Sequence, residues 1–376
     1  MRDDWNKAKR IVIKIGSALL VDENEGHIRS EWMASMVADI AKLKQDGKEI
    51  VIVASGAKAL GRQELHLEPG NLPLDQAQAA AAIGQISLTH AFKSYFNTHG
   101  VPCAQILLTL GDTEDRRRYL NARDTLTTLL EFGAVPVVNE NDTVATTLLR
   151  YGDNDRLSAR VAAMIDADVL VLLSDIDGLY TAPPQSDDQA KHIPEVPNVT
   201  PEIEAMAGGS GSNYSTGGMV TKISAAQMAN SAGCHMVITT GKVLNPISKF
   251  LDGGKATWFL STASSMQARK SWIAGALDVK GSITIDKGAE KALYDGNSLL
   301  PAGATAVKGS FNRGDVVSVL NVDGRKLAHG LTSYSSVDAE KIIGKHSSCT
   351  LTILGYSGRT ELIHRDNMAL TKGKDQ

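Results

Sequence analysis

The chain has 376 residues, 43% of them hydrophobic and 22% charged, with a formal net charge of −3. That length predicts about two domains, and the near-balanced charge excludes the strongly basic signature of a chain devoted to nucleic acid or membrane surfaces. Cys103, Cys234 and Cys349 are too few and too scattered for a disulfide or zinc framework, which predicts a cytoplasmic protein. The opening MRDDWNKAKR lacks the apolar stretch of a signal peptide, so none is predicted. No apolar run approaches the roughly 20 residues that span a bilayer.

Strand and helix patterns then alternate over the first two-thirds. Short β-branched runs predict strands at Arg10–Ile15, Glu49–Ala54, Ala104–Leu108, Val135–Val138, Val169–Leu173 and His235–Thr239. Most are apolar throughout, as parallel strands covered on both faces are. Between the first two, Met33, Met36, Val37, Ile40 and Leu43 share one helical face, with Ser30 as N-cap, Glu31 in the first turn and Gly47 as the stop. Further helices are predicted near 74–96, 121–131, 155–166 and 222–232. This alternation predicts an α/β domain on a mostly parallel open sheet sandwiched by helices.

The pattern changes after residue 262. Short strands in SITI, DVVSVLNV, RKLAHGLTSY and TLTILGY, broken by Gly, Asp-Gly and Pro-Ala-Gly turns, predict a small β-barrel-like second domain. Helical stretches near 288–295 and 337–344 interrupt it. The predicted boundaries are 1–262 for the α/β domain, 263–280 for a linker with some local structure, 281–365 for the second domain and 366–376 for a tail.

Open parallel sheets bind ligands beyond the carboxyl ends of their strands, and the polar clusters of the first domain fall there. After the first strand comes KIGS. Lys14 lies among Val12, Ile13 and Ile15, either as a lysine snorkelling off a sheet face or as one reaching over Gly16 to an anion. Gly16 favours the second, because it lets a ligand approach the backbone. After the second strand, Ser55-Gly56-Ala57 forms a turn of small residues that exposes N–H groups to an anion, or a tight turn and nothing more. It lacks the G-x-S-x-G spacing of a nucleophilic serine.

After the fourth strand, NEND and GDND place Asn139, Glu140, Asn141, Asp142, Asp153, Asn154 and Asp155 close together. Loops favour Asn and Asp in any case, but such a set also suits an amino acid, carboxylates meeting its ammonium and amides its carboxylate. Asp155 opens a helical pattern and reads by itself as an N-cap. Asp175 and Asp177, after the fifth strand, suit Mg²⁺, the positioning of a cationic lysine, or a turn before Gly178, and neither is assigned as a metal ligand. In YSTGGMVTK, Gly217 and Gly218 permit a loop whose N–H groups face phosphate, with Lys222 opening the next helix. Lys14 and Lys222 together would clamp a transferring phosphoryl group, a reaction that needs positioning and charge neutralisation more than covalent help. The absence of an obvious His base fits an acceptor carboxylate, already ionised at pH 7.

Taken in order, VIKIGSALL, VIVASGAKALGR, LLTLGDTEDRRRYLNARDTL, VPVVNENDTVAT, YGDNDRLSA, LLSDIDGLYT and STGGMVTKISAA resemble the glutamate 5-kinase branch of the amino acid kinase family. The later GSITIDKGAEKAL, GNSLLPAGATAVKGSFNRGDVV and GRKLAHGLTSY resemble a PUA domain. The resemblance covers about residues 10–365. It implies ATP-dependent phosphorylation of the γ-carboxylate of L-glutamate, the first step of proline synthesis, with Mg²⁺ accompanying ATP, a dimer or tetramer as the assembly, and feedback inhibition by proline. By position, Lys14 and Lys222 would contact the phosphates, and Asp155 would orient both lysines. Ser55, Gly56, Asp142 and Asn154 would bind glutamate. Ser174, Asp175, Thr216, Gly217, Gly218, Met219, Val220, Thr221 and Lys222 would line the nucleotide site.

Lys58 departs from the apolar residue usual after SGA; its charge either alters affinity at the adjoining glutamate loop or points to solvent, and the second is expected. The charged stretch Gly111–Leu126, with Arg116–Arg118 beside Glu114 and Asp115, is expected either to take part in proline control or to be a solvated helix start. Two alternatives stay open: another carboxylate, carbamate or nucleotide kinase of the same fold, and an RNA-binding protein acting through the PUA domain.

Overall fold

A computed structural model describes residues 2–22, 26–68, 70–144, 153–207, 218–274 and 279–371. The chain forms two compact units, Met1–Ser265 and Met266–Gln376. Among the described residues no helix is long and apolar enough to cross a membrane.

The first unit is built on β1 (Arg10–Ile15), β2 (Glu49–Ala54), β3 (Cys103–Leu108), β4 (Val135–Glu140), β5 (Val169–Ser174), β6 (Leu179–Tyr180), β7 (His192–Ile193), β8 (Glu195–Val196), β9 (His235–Thr240) and β10 (Ala256–Phe259). Eight of these form one sheet in the order β3-β4-β2-β1-β5-β9-β10-β8. All neighbours pair in parallel except β9 and β10. The four residues of β10 and the two of β8 are too short to carry a periodic signal, and the sequence pattern does not reveal them.

Period-two alternation divides the strands between two cores. Ile11, Ile13 and Ile15 pack on one face with Met33, Met36, Ile40, Leu88 and Phe92. Val12, Val51, Val53, Leu170 and Leu172 pack on the other with Leu157, Val161, Ile223 and Ala226. This is why the strands read as apolar throughout. It also fixes Lys14, two residues beyond Val12 and paired with Val53 and Leu172, on the face covered by the helices Asp153–Met164 and Met219–Ser231.

Ser30 is the first residue of the helix Ser30–Gln45 and not its N-cap. Arg29 holds that position, and the Ser30 hydroxyl donates to the Ile28 carbonyl 3.4 Å away. Gly47 does turn the chain after this helix, at φ 78°. A close crossing joins the helices Ala57–Glu64 and Leu74–Asn97. A Cβ on Gly61 would lie 1.7 Å from the Ala80 carbonyl oxygen, and one on Gly84 would lie 1.9 Å from that of Ala57. Only glycine lets the two backbones meet, and the crossing brings the long helix alongside the ends of β2 and β4.

The second unit holds β11 (Gly281–Ile285), β12 (Ala304–Gly309), β13 (Val316–Leu320), β14 (Lys326–Leu331) and β15 (Met368–Leu370) in a separate sheet of order β12-β11-β13-β14-β15. Register shifts at Thr284/Ile285 and Val319/Leu320 bend its strands. Ile283, Ile285, Val317, Val319, Leu362 and Ile363 form its core. TLTILGY is not a strand: Thr350–Leu354 is a helix, ended by Gly355 at φ 77°. Its alternating pattern fails because Leu351 and Ile353 are both exposed and buy no sheet face. The helix Ser265–Ala274 lies where the sequence predicts a linker, and its Ile273 is buried with Val316, Leu331 and Ala369. β15 falls in the predicted tail.

The glycine crossing yields a prediction. Gly84→Ala should destabilise the chain by about 3 kcal/mol or more, since backbone and not a flexible side chain must yield. Urea denaturation measures this, and a loss below about 0.5 kcal/mol, the range of an ordinary surface change, would contradict it.

Candidate active site

The carboxyl ends of β1, β2, β4 and β5 lie side by side, and their following segments carry the polar clusters. At the centre are Lys14, Asp155 and Lys222. Lys14 Nζ lies 2.7 Å from Asp155 Oδ1, and Lys222 Nζ lies 3.4 Å from Oδ2. Thr221 donates its hydroxyl to the same Oδ2 at 2.8 Å. Asp155 is 1% exposed and each lysine 8%. Burial pushes the Asp155 carboxyl toward its neutral form, but the two ammonium charges and the hydrogen bonds from Lys14 and Thr221 outweigh it and hold the group below its ordinary range. One carboxylate between two ammonium groups leaves a surplus positive charge at the sheet edge. Lys14 Nζ also lies 3.9 Å from where a Gly16 Cβ would sit, so the lysine does reach back over that glycine.

Asp155 stands in the first turn of the helix Asp153–Met164, and its carboxylate faces the lysines. Its backbone carbonyl accepts from the Ser158 hydroxyl at 2.6 Å. Asn154 turns the other way. Its Nδ2 donates to Ala54 O at 2.8 Å, to Ser55 Oγ at 2.7 Å and to Asn139 Oδ1 at 3.1 Å. Gly56 stands at φ 105° ahead of the helix Ala57–Glu64, a conformation that suits glycine. Ser55, Gly56 and Asn154 are thus assembled at one place from segments about 100 residues apart.

Asp142 lies in the short turn Asp142–Val144 after β4. Burial raises its carboxyl from the usual 3.8 to about 6, and the Lys58 charge pulls it part of the way back. Lys58 is therefore not merely solvent-facing: it is half-buried in the first turn of its helix, and its field acts on Asp142. A groove of about 470 Å³ flanks this turn, lined by Gln85, Thr89, Lys93, Leu107 and Asp142 among others, and Lys14, Asp155 and Lys222 lie outside it.

Among the residues expected to line a nucleotide site, the Ser174 hydroxyl donates to Asp175 Oδ1 at 3.0 Å at the end of β5, the strand beside β1. Asp177 Oδ1 accepts from the Tyr180 hydroxyl at 2.8 Å. Gly218 caps the helix Met219–Ser231, whose first turn carries Met219, exposed Val220, Thr221 and buried Lys222. Thr216 and Gly217 lie outside the described residues.

The stretch Gly111–Leu126 splits into the helices Leu110–Glu114 and Arg116–Glu131. Asp112 closes a capping box with Thr109 and pairs with Arg118 at 3.2 Å, while Glu114 pairs with Arg160 at 3.0 Å.

Two residues join the site that the sequence pattern did not assign to it. Asn139 is named there only as one of a dense set, yet it bridges Asn154 and the Gln85 side chain, donating to Gln85 Oε1 at 2.7 Å. Gln85 sits in mid-helix, where nothing in the sequence distinguishes it.

Residues 9–240 match the model of the amino acid kinase family, and residues 281–354 match that of the PUA domain. The chain is similar to the protein named Glutamate 5-kinase of Sinorhizobium fredii (strain NBRC 101917 / NGR234), with 56% identity over 97% of this chain and 93% of that one. It is similar to the protein of the same name from Rhodopseudomonas palustris (strain BisB5), with 55% identity over 96% of each. Among solved structures it is similar to the UMP kinase from Ureaplasma parvum, with a TM-score of 0.48 and 15% identity over 68% of this chain and 100% of that one.

The raised Asp142 pKa gives a second prediction. Because the folded-state pKa lies above the unfolded one, ionised Asp142 weighs against folding above about pH 6, and the burden vanishes below about pH 4. Asp142→Asn should therefore raise the melting temperature at pH 8, and the gain should shrink to nothing near pH 4. A gain that is constant with pH would contradict the assignment.

Proposed function

We propose that this chain, which belongs to the amino acid kinase family, transfers the γ-phosphoryl group of ATP to the γ-carboxylate of L-glutamate, giving L-glutamyl 5-phosphate and ADP in the first step of proline synthesis. The observation that carries this reading is the 56% identity, over 97% of the chain, to a protein named Glutamate 5-kinase. The Lys14–Asp155–Lys222 trio supports its phosphoryl-transfer half.

A Glu-like carboxyl ionises at about 4.3, so at pH 7 the acceptor needs no general base. One of its oxygens forms a bond to the γ-phosphorus. The bond from that phosphorus to the β,γ-bridging oxygen breaks in line with it, and the electron pair leaves with ADP. Lys14 and Lys222, both buried, stabilise the charge on the transferring group. Asp155 is a positioning residue, which keeps both ammonium groups aimed at one point.

Ser55, Gly56, Asp142 and Asn154 hold the amino acid. The α-ammonium beside Asp142 favours the ionised carboxylate and offsets the effect of burial. Ser174, Asp175 and the segment 216–222 hold the nucleotide. Mg²⁺ arriving with the triphosphate would supply further charge neutralisation when bound. Asp175 and Asp177 each commit one oxygen to a neighbouring hydroxyl and keep a second for such a hard cation.

Proline offers the α-carboxylate and α-nitrogen of glutamate without the γ-carboxylate, so it competes for the acceptor contacts as a feedback inhibitor. The assembly is a homo-oligomer, dimer or tetramer. Exposed Ile86 and Leu107, both lining the groove at the β3 edge, support a self-association surface there. RNA contact through the PUA domain is the weaker reading, since residues 281–376 carry 12 Lys+Arg against 10 Asp+Glu.

ADP release should depend on glutamate, with N-acetylglutamate, aspartate and UMP giving little. Turnover with one of those and not with glutamate would overturn the reading. Lys222→Ala and Lys14→Ala should each lower kcat by roughly 10²–10³, and near-normal turnover would remove that lysine from the mechanism. Asn154→Ala should raise the KM for glutamate far more than that for ATP; the opposite split would reverse the division of the site.

A further inference from the structure

The amides around the acceptor site can each be oriented from a backbone group whose hydrogen-bonding role is fixed. Ala54 C=O can only accept, so the Asn154 atom 2.8 Å from it is the donor Nδ2. Glu140 N–H can only donate, so the Asn139 atom 2.9 Å from it is the acceptor Oδ1. Asn139 therefore turns Nδ2 toward helix Leu74–Asn97, where it meets Gln85 Oε1 at 2.7 Å. Gln85 is oriented in turn: its Nε2 donates to Thr89 Oγ1 at 3.1 Å, and that hydroxyl gives its own proton to the Gln85 carbonyl at 2.8 Å. The chain of donors and acceptors is consistent from Thr89 to Ser55, and every step has one direction.

Its end lies in the acceptor site. Asn154 spends Nδ2 on Ala54, Ser55 and Asn139. No donor among the described residues reaches its Oδ1, which is left as an acceptor for an ammonium group. Ser55 Oγ accepts from Asn154, so its hydroxyl proton is left to donate to a carboxylate. An α-amino acid needs that pair of opposite polarities.

We propose that Gln85 is the positioning residue that sets this polarity. It touches no substrate and acts through Asn139. Asn139 is 3% exposed, and without Gln85 Oε1 its Nδ2 is a buried donor lacking an acceptor, a costly state. To find another acceptor Nδ2 must draw the whole amide away from Glu140 N–H and Asn154 Nδ2, which takes Oδ1 from Asn154 and frees Asn154 to turn. The close crossing at Gly61 and Gly84 places Gln85, one residue beyond Gly84, within reach of the loop.

The role rests on the glutamate kinase reading, and the test separates the two. Glutamate and ATP kinetics are measured for the wild-type chain, Gln85→Leu and Gln85→Glu, with melting temperatures alongside. Gln85→Leu, which removes the acceptor, should raise the KM for glutamate roughly tenfold, on the scale of one lost hydrogen bond to a buried group, with the KM for ATP unchanged. Gln85→Glu keeps an acceptor facing Asn139 and should recover most of the loss. An unchanged glutamate KM in Gln85→Leu, an equal rise in both KM values, or a Gln85→Glu as impaired as Gln85→Leu would each overturn the proposal. If the wild-type chain shows no glutamate-dependent turnover, the underlying reading falls first and this role falls with it.

Discussion

Two ammonium groups share one carboxylate that water scarcely reaches, and the first unit is organised around that arrangement. A buried carboxylate with no partner costs several kcal/mol, and so does each buried ammonium. Lys14, Asp155 and Lys222 offset that cost for one another, the lysines meeting the carboxylate at 2.7 and 3.4 Å. The balance is incomplete by one positive charge. An anion at the sheet edge would complete it, and on the proposed reading that anion is the phosphoryl group in transfer.

The rest of the fold delivers these groups from far apart in the chain. Lys14 comes from the central strand, and period-two alternation alone decides that it faces the helices of Asp155 and Lys222 and not the opposite core. A one-residue slip of β1 would bury it among Met33, Met36 and Ile40. On the acceptor side, the glycine crossing does comparable work: it lets a second helix approach closely enough for Gln85 to engage Asn139. Under the proposed reading, charge governs the phosphoryl side and fixed hydrogen-bond direction the acceptor side.

Much of this was legible in the sequence, for reasons that differ by residue. The parallel strands announced themselves because both faces are buried, leaving runs such as IVIVA without polar interruption. Lys14 stood out as a charge in such a run, next to a glycine. Asp155 was different: from its own surroundings it read as a helix cap, and its link to the lysines came only with the family resemblance, because that pairing spans 141 positions to Lys14 and 67 to Lys222 (155 − 14 and 222 − 155). Lys58 showed only as a departure from the pattern, because nothing local reports the field it exerts on Asp142. TLTILGY misled because alternation describes a strand only where one face has something to cover. Gln85 left no trace, since a polar residue in mid-helix looks the same whether it meets solvent or a buried amide.

The central claim is that Asp155 and the lysines act as one unit, and a double-mutant cycle on kcat tests it most directly. Asp155→Asn, Lys222→Met and the double variant are compared, with circular dichroism confirming the fold of each. Groups that act together lose nearly everything at the first substitution, so the account predicts a double variant no slower than the slower single one. Losses that multiply, each substitution costing its full factor in the presence of the other, would show the carboxylate and the lysine acting independently and would contradict it.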